Sequence, residues 1–143
     1  MAGQAAAIET LLGVSGAGHT PLALASSILR GLPVSALDRL AGAVAPDDAR
    51  FKFRLIPKAT LERRRKSATR HLTSEEGDRL ARVAKVYVFA LEIYHDGDKV
   101  REFLNRPHVM LDNKPPLDVA LETGPGADAV INILGRLAYG GGV

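Results

Sequence analysis

Between residues 78 and 94 the apolar positions fall on two neighbouring helical stripes. Leu80, Val83, Tyr87, Leu91 and Tyr94 make the first, and Val86, Phe89 and Ile93 make the second. Spacing of three to four residues kept up over that length predicts a helix. "VYVFALEIY" alone has the β-branched and aromatic content of a strand. Thr73, with Glu76 three residues later, has capping-box spacing, and Glu75 and Glu76 lie where carboxylates meet the positive end of a helix. The expected helix therefore covers 73–94, with Gly97 ending it. An element apolar over so much of its circumference is either central to its domain or buried in a dimer.

The same periodicity organises the rest of the chain as all-α. Residues 1–19, rich in Ala and Gly, read as a flexible N-terminal arm with a short helix at 5–12. Thr20 before Pro21 is an N-cap followed by proline at the first helical position. Leu22, Ala25, Ile28 and Leu29 then form the apolar stripe of a helix that stops at Gly31. A second helix carries Leu37, Leu40 and Val44 on one face. A third starts at Asp47 and Asp48 and carries Phe51 and Leu55. Pro57 breaks it, and a fourth runs from Lys58 to about Arg70. Past Gly97, "DKVREFLN" is a short amphipathic helix and "RPHVMLDNKPP" a loop. "PLDVALET" is a short helix, "GPG" a break, and "ADAVINILGRLAY" the closing helix. The domain boundary falls near His71 and Leu72, which separates a region 20–71 from a region 72–143.

Composition narrows the classes. The chain has 143 residues, the size of one domain or two very small ones, with no Trp and 5% aromatic residues. Its core must then be built from Leu, Val, Ile and Ala. The absence of Cys excludes disulfides, thiolate metal sites and a cysteine nucleophile, and agrees with a reducing, cytoplasmic setting. The net charge of +3 is unevenly placed. Residues 50–70 hold nine basic side chains against Glu62 alone, while residues 1–49 carry −2 and residues 71–143 carry −3. A local cation on a mildly acidic chain points to an acidic partner at one place.

Candidate chemistry is thin elsewhere. "GVSGAGHT", residues 13–20, has the spacing of a phosphate loop, but His19 stands in place of the lysine that reaches the phosphates. "AAAIETLL" is also a poor version of the buried strand such a loop requires. The histidines at 19, 71, 95 and 108 lack metal-ligand spacing, and His95, Asp96 and Asp98 around Gly97 read as a polar turn. No serine has a partner motif. Nothing argues for catalysis, a metal or a cofactor. The basic run is different. If Leu61 packs inward, Arg63, Lys66 and Arg70 face outward, flanked by Thr60 and Arg64. Two short helices joined by a tight turn make a helix-turn-helix candidate, although Leu55, Ile56 and Pro57 occupy the turn where a glycine is usual. The DNA-facing residues expected from that geometry are Lys58, Thr60, Arg63, Arg64, Lys66 and Arg70.

Thr60, Leu61, Arg63 and Arg64 match a "TL-x-RR" recognition element. Leu72, Thr73, Glu75, Glu76, Asp78, Arg79, Leu80, Arg82 and Ala84 match "LT-x-EE-x-DRL-x-R-x-A". Phe103, Leu104, Pro107, Leu111, Pro116, Leu117 and Asp118 follow "FL-x-x-P-x-x-x-L-(Gly-rich)-x-P-L-D", with Gly126, Val130, Leu134, Arg136 and Gly140 in the closing helix. In this combination the chain from residue 20 onward resembles the Xre/MbcA/ParS antitoxins of bacterial type II toxin–antitoxin pairs. Asp112 and Asn113 stand where that family favours glycines, and Pro115–Pro116 is doubled.

The resemblance implies a cognate RES-domain toxin, which consumes NAD or transfers its ADP-ribose, covered at its active-site entrance by the C-terminal domain. It also implies repression of the chain's own operon through the DNA-binding half. Under that implication Asn105, Pro107, Asn113, Pro116, Arg136, Tyr139, Gly140 and Val143 are the toxin-facing residues. Arg136, Tyr139 and the "GGGV" tail offer a cation, an amphipathic ring and a slender end. The loop 105–116 is either contact surface or a rigid connector. A homodimer is expected, since two-fold operators favour dimers and the long helix has apolar surface to give. The alternative is a stand-alone helix-turn-helix regulator whose C-terminal domain dimerises or binds a small ligand.

Overall fold

The computed structural model describes residues 2–14 and 18–140. Among them there are nine α-helices, one 3₁₀ turn and no strand, only two isolated bridges. The chain divides into two compact units, residues 1–84 and 85–143. The division lies inside the long helix and not at His71–Leu72 as expected, because the first turns of that helix are tied to the N-terminal unit by contacts described below.

The first unit opens on α1 (Ala2–Leu12). The short helix expected at 5–12 is present and longer, and the arm expected around it is corrected over residues 2–12: Ala5, Ile8 and Leu12 are buried, and α1 packs against α3 (Ser35–Val44). Alanine supplies helix propensity, and 5, 8 and 12 share one face. Thr20 caps α2 (Pro21–Arg30) through its hydroxyl, which accepts from the Ala23 amide at 3.1 Å. Gly31 ends α2 at φ 103°, donating to the Ile28 and Ser27 carbonyls. The apolar stripe expected on α2 is only half in the core. Ile28 is half-buried, whereas Leu22 and Leu29 are 77% and 76% exposed. Leu37, Leu40 and Val44 of α3 are buried as expected.

The helix expected from Asp47 shrinks to one turn, α4 (Lys52–Leu55). The Asp48 carboxylate accepts from the Arg50 amide at 3.0 Å, and that local turn competes with a helix start. Next comes α5 (Lys58–Lys66), which stops short of Arg70. Ser67 is extended, and its hydroxyl accepts from the Arg70 amide at 3.1 Å. The Val34 amide donates to the Arg70 carbonyl at 3.0 Å and the Leu72 amide to Leu32 at 2.8 Å, which clips this segment to the start of α3. Phe51, Leu55, Ile56, Leu61, Leu72, Leu80 and Val83 complete the core. The long helix, α6 (Ser74–Tyr94), starts in this unit and ends in the second.

His95, at φ 55°, closes α6, and Gly97 already belongs to α7 (Gly97–Asn105), capped by Asp96. The second unit is then built from the end of α6, α7, a 3₁₀ turn (Val109–Leu111), α8 (Pro116–Glu122) and α9 (Gly124–Ala138). Val100, Leu104, Leu117, Ala120, Val130, Ile133 and Leu134 are buried. The "GPG" break is absent: Thr123 alone separates α8 from α9, its hydroxyl accepting from the Gly126 amide at 2.9 Å. The helices meet so closely that a Cβ at Gly126 would lie 2.3 Å from the Val119 carbonyl oxygen, while one at Gly135 would meet nothing. Two glycine substitutions in α9 should therefore have opposite signs. Gly126→Ala is expected to destabilise by about 2 kcal/mol through overpacking. Gly135→Ala should stabilise by about 1 kcal/mol through helix propensity. Thermal and urea unfolding of both variants checks the pair.

Candidate functional site

In the first unit the turn between α4 and α5 is held by side chains of α6. Arg79 Nη1 donates to the Leu55 carbonyl at 2.7 Å, which satisfies an end group of α4 that its own helix leaves unpaired. Glu76 does more. Its Oε1 accepts from the Thr73 amide at 2.8 Å while the Glu76 amide donates to the Thr73 hydroxyl at 3.2 Å, a complete capping box. The same carboxylate takes a two-pronged contact from Arg64, Nε to Oε1 at 3.0 Å and Nη2 to Oε2 at 3.2 Å. Burial pushes the Glu76 carboxyl up, but the Arg64 and Thr73 hydrogen bonds outweigh it and hold the group below the usual glutamate range. The Arg64 guanidinium is correspondingly raised, first by that hydrogen bond.

This changes the reading of the basic run. Arg64 lies three residues from Leu61, on the core side of α5, and its guanidinium contacts Glu76 of α6 in place of the flank of the DNA-facing surface expected for it. Arg65 contacts both Asp38 oxygens at 3.1 Å, and Lys52 reaches Asp38 at 3.9 Å. Lys58 stands 6.0 Å from the centre of the Phe53 ring. Thr60 is half-buried beside Leu61. Lys58, Arg63, Lys66 and Arg70 are exposed, Arg70 beyond the helix end at φ 52°. Among the described residues no carboxylate lies within ion-pair distance of Arg63, Lys66 or Arg70. α5 thus presents a cationic face whose back is neutralised by Glu76 and Asp38.

His19, in the position of a phosphate-loop lysine, turns its Nδ1 to the buried Glu9 carboxylate at 3.2 Å. A carboxylate at that point opposes a bound phosphate. Part of the 13–20 stretch lies outside the described residues. Asp96 caps α7 by accepting from the Asp98 amide at 2.8 Å. Among the described residues no three carboxylates or imidazoles converge as a metal site would need. No helix there is long and apolar enough to cross a membrane.

In the second unit the residues expected to face a toxin separate into groups. Asn105, Pro107 and Asn113 are exposed. Pro116 is buried at the first position of α8, so its expected contact role is corrected to a packing one. Arg136 is exposed and points to the Met110 sulfur at 3.8 Å. Tyr139 is 90% exposed just beyond α9, followed by Gly140 at φ 74°. Val143 lies outside the described residues. The Arg136–Met110 contact brings the end of α9 to the 3₁₀ turn, where Val109 and Met110 are 77% and 47% exposed. Those two apolar residues were not singled out from the sequence; their position inside a Pro-rich loop hid them. The loop is a fixed structure. His108 and Lys114 form a bridge, the His108 ring accepts from the Met110 amide at 3.1 Å, and Leu111 is buried as an anchor. Asp112 and Asn113 both adopt left-handed backbone, at φ 55° and 61°, a conformation these two residue types tolerate best after glycine. Pro107 also rims a groove of about 410 Å³ lined by Tyr94, Phe103, Arg106 and Leu137.

Comparison with known proteins agrees with this division. Residues 23–85 match the antitoxin Xre-like helix-turn-helix domain. Residues 90–140 match the antitoxin Xre/MbcA/ParS C-terminal toxin-binding domain. A protein of Yersinia enterocolitica named Antitoxin Xre is 33% identical over 119 residues, which cover 82% of this chain and 79% of that one.

The Glu76 contacts carry a pH dependence with a defined sign. A carboxyl held low in the folded state stabilises above its unfolded pKa, about 4.3 for a free glutamate, and ceases to as the pH falls through the lower folded value. Glu76→Gln should cost about 2 kcal/mol at pH 7, the scale of charge-assisted hydrogen bonds. It should also flatten the loss of stability below about pH 4.5. Urea midpoints for both proteins from about pH 3 to pH 7 measure this.

Proposed function

The chain belongs to the Xre/MbcA/ParS family of antitoxins, and from that premise we propose that it neutralises a RES-domain toxin and represses its own operon. The observation that carries the proposal is the placement of two unlike exposed surfaces in separate units. One is the cationic face of α5, with Lys58, Arg63 and Lys66. The other is the mixed apolar and cationic face formed by Val109, Met110, Arg136 and Tyr139.

The first face suits duplex DNA. Arg63 can read guanine or hold phosphate, and Lys66 and Arg70 can hold phosphate on either side. Arg64 supports the helix from behind, and its removal would act through the position of α5. The second face suits a protein cleft. An exposed aromatic, a thioether and a guanidinium within one patch are residue types enriched in the energetic centre of interfaces. Occupation of the toxin's active-site entrance by the end of α9 and the residues after it would exclude NAD without any chemistry by the antitoxin itself.

Separate surfaces give separable defects. Arg63→Ala with Lys66→Ala should weaken operator binding by about 10- to 100-fold and lower the salt slope by about 2, one for each phosphate that is no longer neutralised. Toxin affinity should be unchanged. Arg136→Ala with Tyr139→Ala should do the reverse, lowering toxin affinity by at least about 10-fold with operator binding intact. Fluorescence anisotropy on promoter DNA and titration calorimetry with the toxin read the two arms. Loss of both activities in either variant contradicts the assignment.

A further inference from the structure

The chain has no Cys and two Met, so apart from Met1 its one sulfur atom is that of Met110. Thiol chemistry is closed to it, and sulfur oxidation can reach the second unit only through this thioether. A methionine ordinarily fills gaps in a core. Met110 instead stands half out in solvent beside exposed Val109, while buried Leu111 anchors the 3₁₀ turn that carries both. Arg136 Nη1 donates toward the Met110 sulfur at 3.8 Å. Among the described residues no carboxylate lies within ion-pair distance of Arg136. A thioether is a weak acceptor, so the guanidinium stays free to engage a partner.

We propose, resting on the toxin-facing role of that surface, that Met110 is an oxidation site whose sulfoxide takes Arg136 away from the toxin. The oxidant is a peroxide. A sulfur lone pair attacks one oxygen of hydrogen peroxide, and an S–O bond forms as the O–O bond breaks. The second oxygen leaves as hydroxide and takes the hydroxyl proton of the first, giving a sulfoxide and water. Sulfur is oxidised by two electrons and the peroxide is reduced by two. The product changes the acceptor and leaves the turn in place, since Leu111 still holds it. A polar S=O oxygen now stands one bond from the atom that Arg136 already faces, and a weak N–H···S contact becomes an N–H···O bond. The patch loses an adaptable apolar side chain and has its guanidinium engaged within the chain. Bound toxin would shield Met110 from peroxide, so the free antitoxin is the form modified, and oxidation blocks rebinding.

The test treats the full chain alone with hydrogen peroxide and removes the peroxide before toxin is added. Oxidation is followed as the gain of one oxygen in the peptide that contains Met110, and circular dichroism checks that helix content is kept. Toxin affinity by calorimetry should fall at least about 10-fold, the scale on which one energetically central contact matters, and methionine sulfoxide reductase should restore it. Met110→Leu has no thioether at this position, and its affinity should be the same before and after treatment. Met110→Gln, a polar acceptor of similar length, should reproduce the oxidised affinity with no peroxide, which also gives the reading should treatment unfold the chain. Oxidised wild type that binds as tightly as the reduced form overturns the proposal, as does a Met110→Leu chain that peroxide weakens equally. A reduced wild type that binds no toxin refutes the toxin-binding reading itself. The site is then judged on the antitoxin alone, where Arg136 should react with phenylglyoxal more slowly after oxidation, and equal reactivity in the two states overturns it.

Discussion

The carboxylate of Glu76 is the point on which the N-terminal unit is assembled. One side chain closes the capping box of α6 and grips Arg64 of α5. Neither contact alone would justify burying a charge, since a carboxylate removed from water without full pairing is costly. Together they occupy both oxygens, and the balance favours the ionised form. The start of α6 and the flank of α5 thus become one hydrogen-bonded unit, which Arg79 extends to the turn between α4 and α5. α4 is only one turn long and could not hold α5 by packing alone.

A fixed back lets the front of α5 be a cation. Nine basic residues in 21 would repel one another on an isolated helix. Here Glu76 and Asp38 neutralise the inner members, Arg64, Arg65 and Lys52, and Lys58 lies near the Phe53 ring. On α5 what remains outward is Lys58, Arg63 and Lys66, with Arg70 beyond the helix end. The basic run therefore serves two physical purposes, and its composition alone cannot separate them. The second unit solves a different problem, the presentation of apolar atoms without collapse. Buried Leu111 and left-handed Asp112 and Asn113 hold Val109 and Met110 out from the fold, with Arg136 alongside.

Much of this was legible in the chain itself. The capping box at Thr73 and Glu76, the Thr20–Pro21 start, the Gly31 stop and the all-α architecture follow from local rules, because caps and periodicity act within a few residues. The failures have a common cause, which is contact across the chain. Arg64 read as a DNA-facing residue flanking the outward surface because its partner is twelve residues away, although its spacing from Leu61 places it on the core side. The short helix at 5–12 was legible but read as part of a loose arm, because alanine-rich sequence lacks contrast, although 5, 8 and 12 share a face that α3 covers. Leu22 and Leu29 read as one apolar stripe with Ile28 because spacing fixes a helix face and not what covers it. Pro116 read as contact surface, where proline at a first helical position is as well placed for packing. In the loop, Asp112 and Asn113 stand where the family favours glycines, and that substitution of one left-handed residue type for another is the signal the structure explains.

The central claim is that the second unit holds a toxin, and co-purification tests it most directly. The tagged full chain is expressed together with the genes that flank its own, and the retained material is washed at high salt to strip DNA. The account requires one untagged, neighbour-encoded chain to stay bound, to arrest growth when expressed alone, and to be released by Arg136→Ala with Tyr139→Ala. A chain that elutes with no partner while still binding its own promoter would contradict it, and would leave a DNA-binding regulator whose second unit does something else.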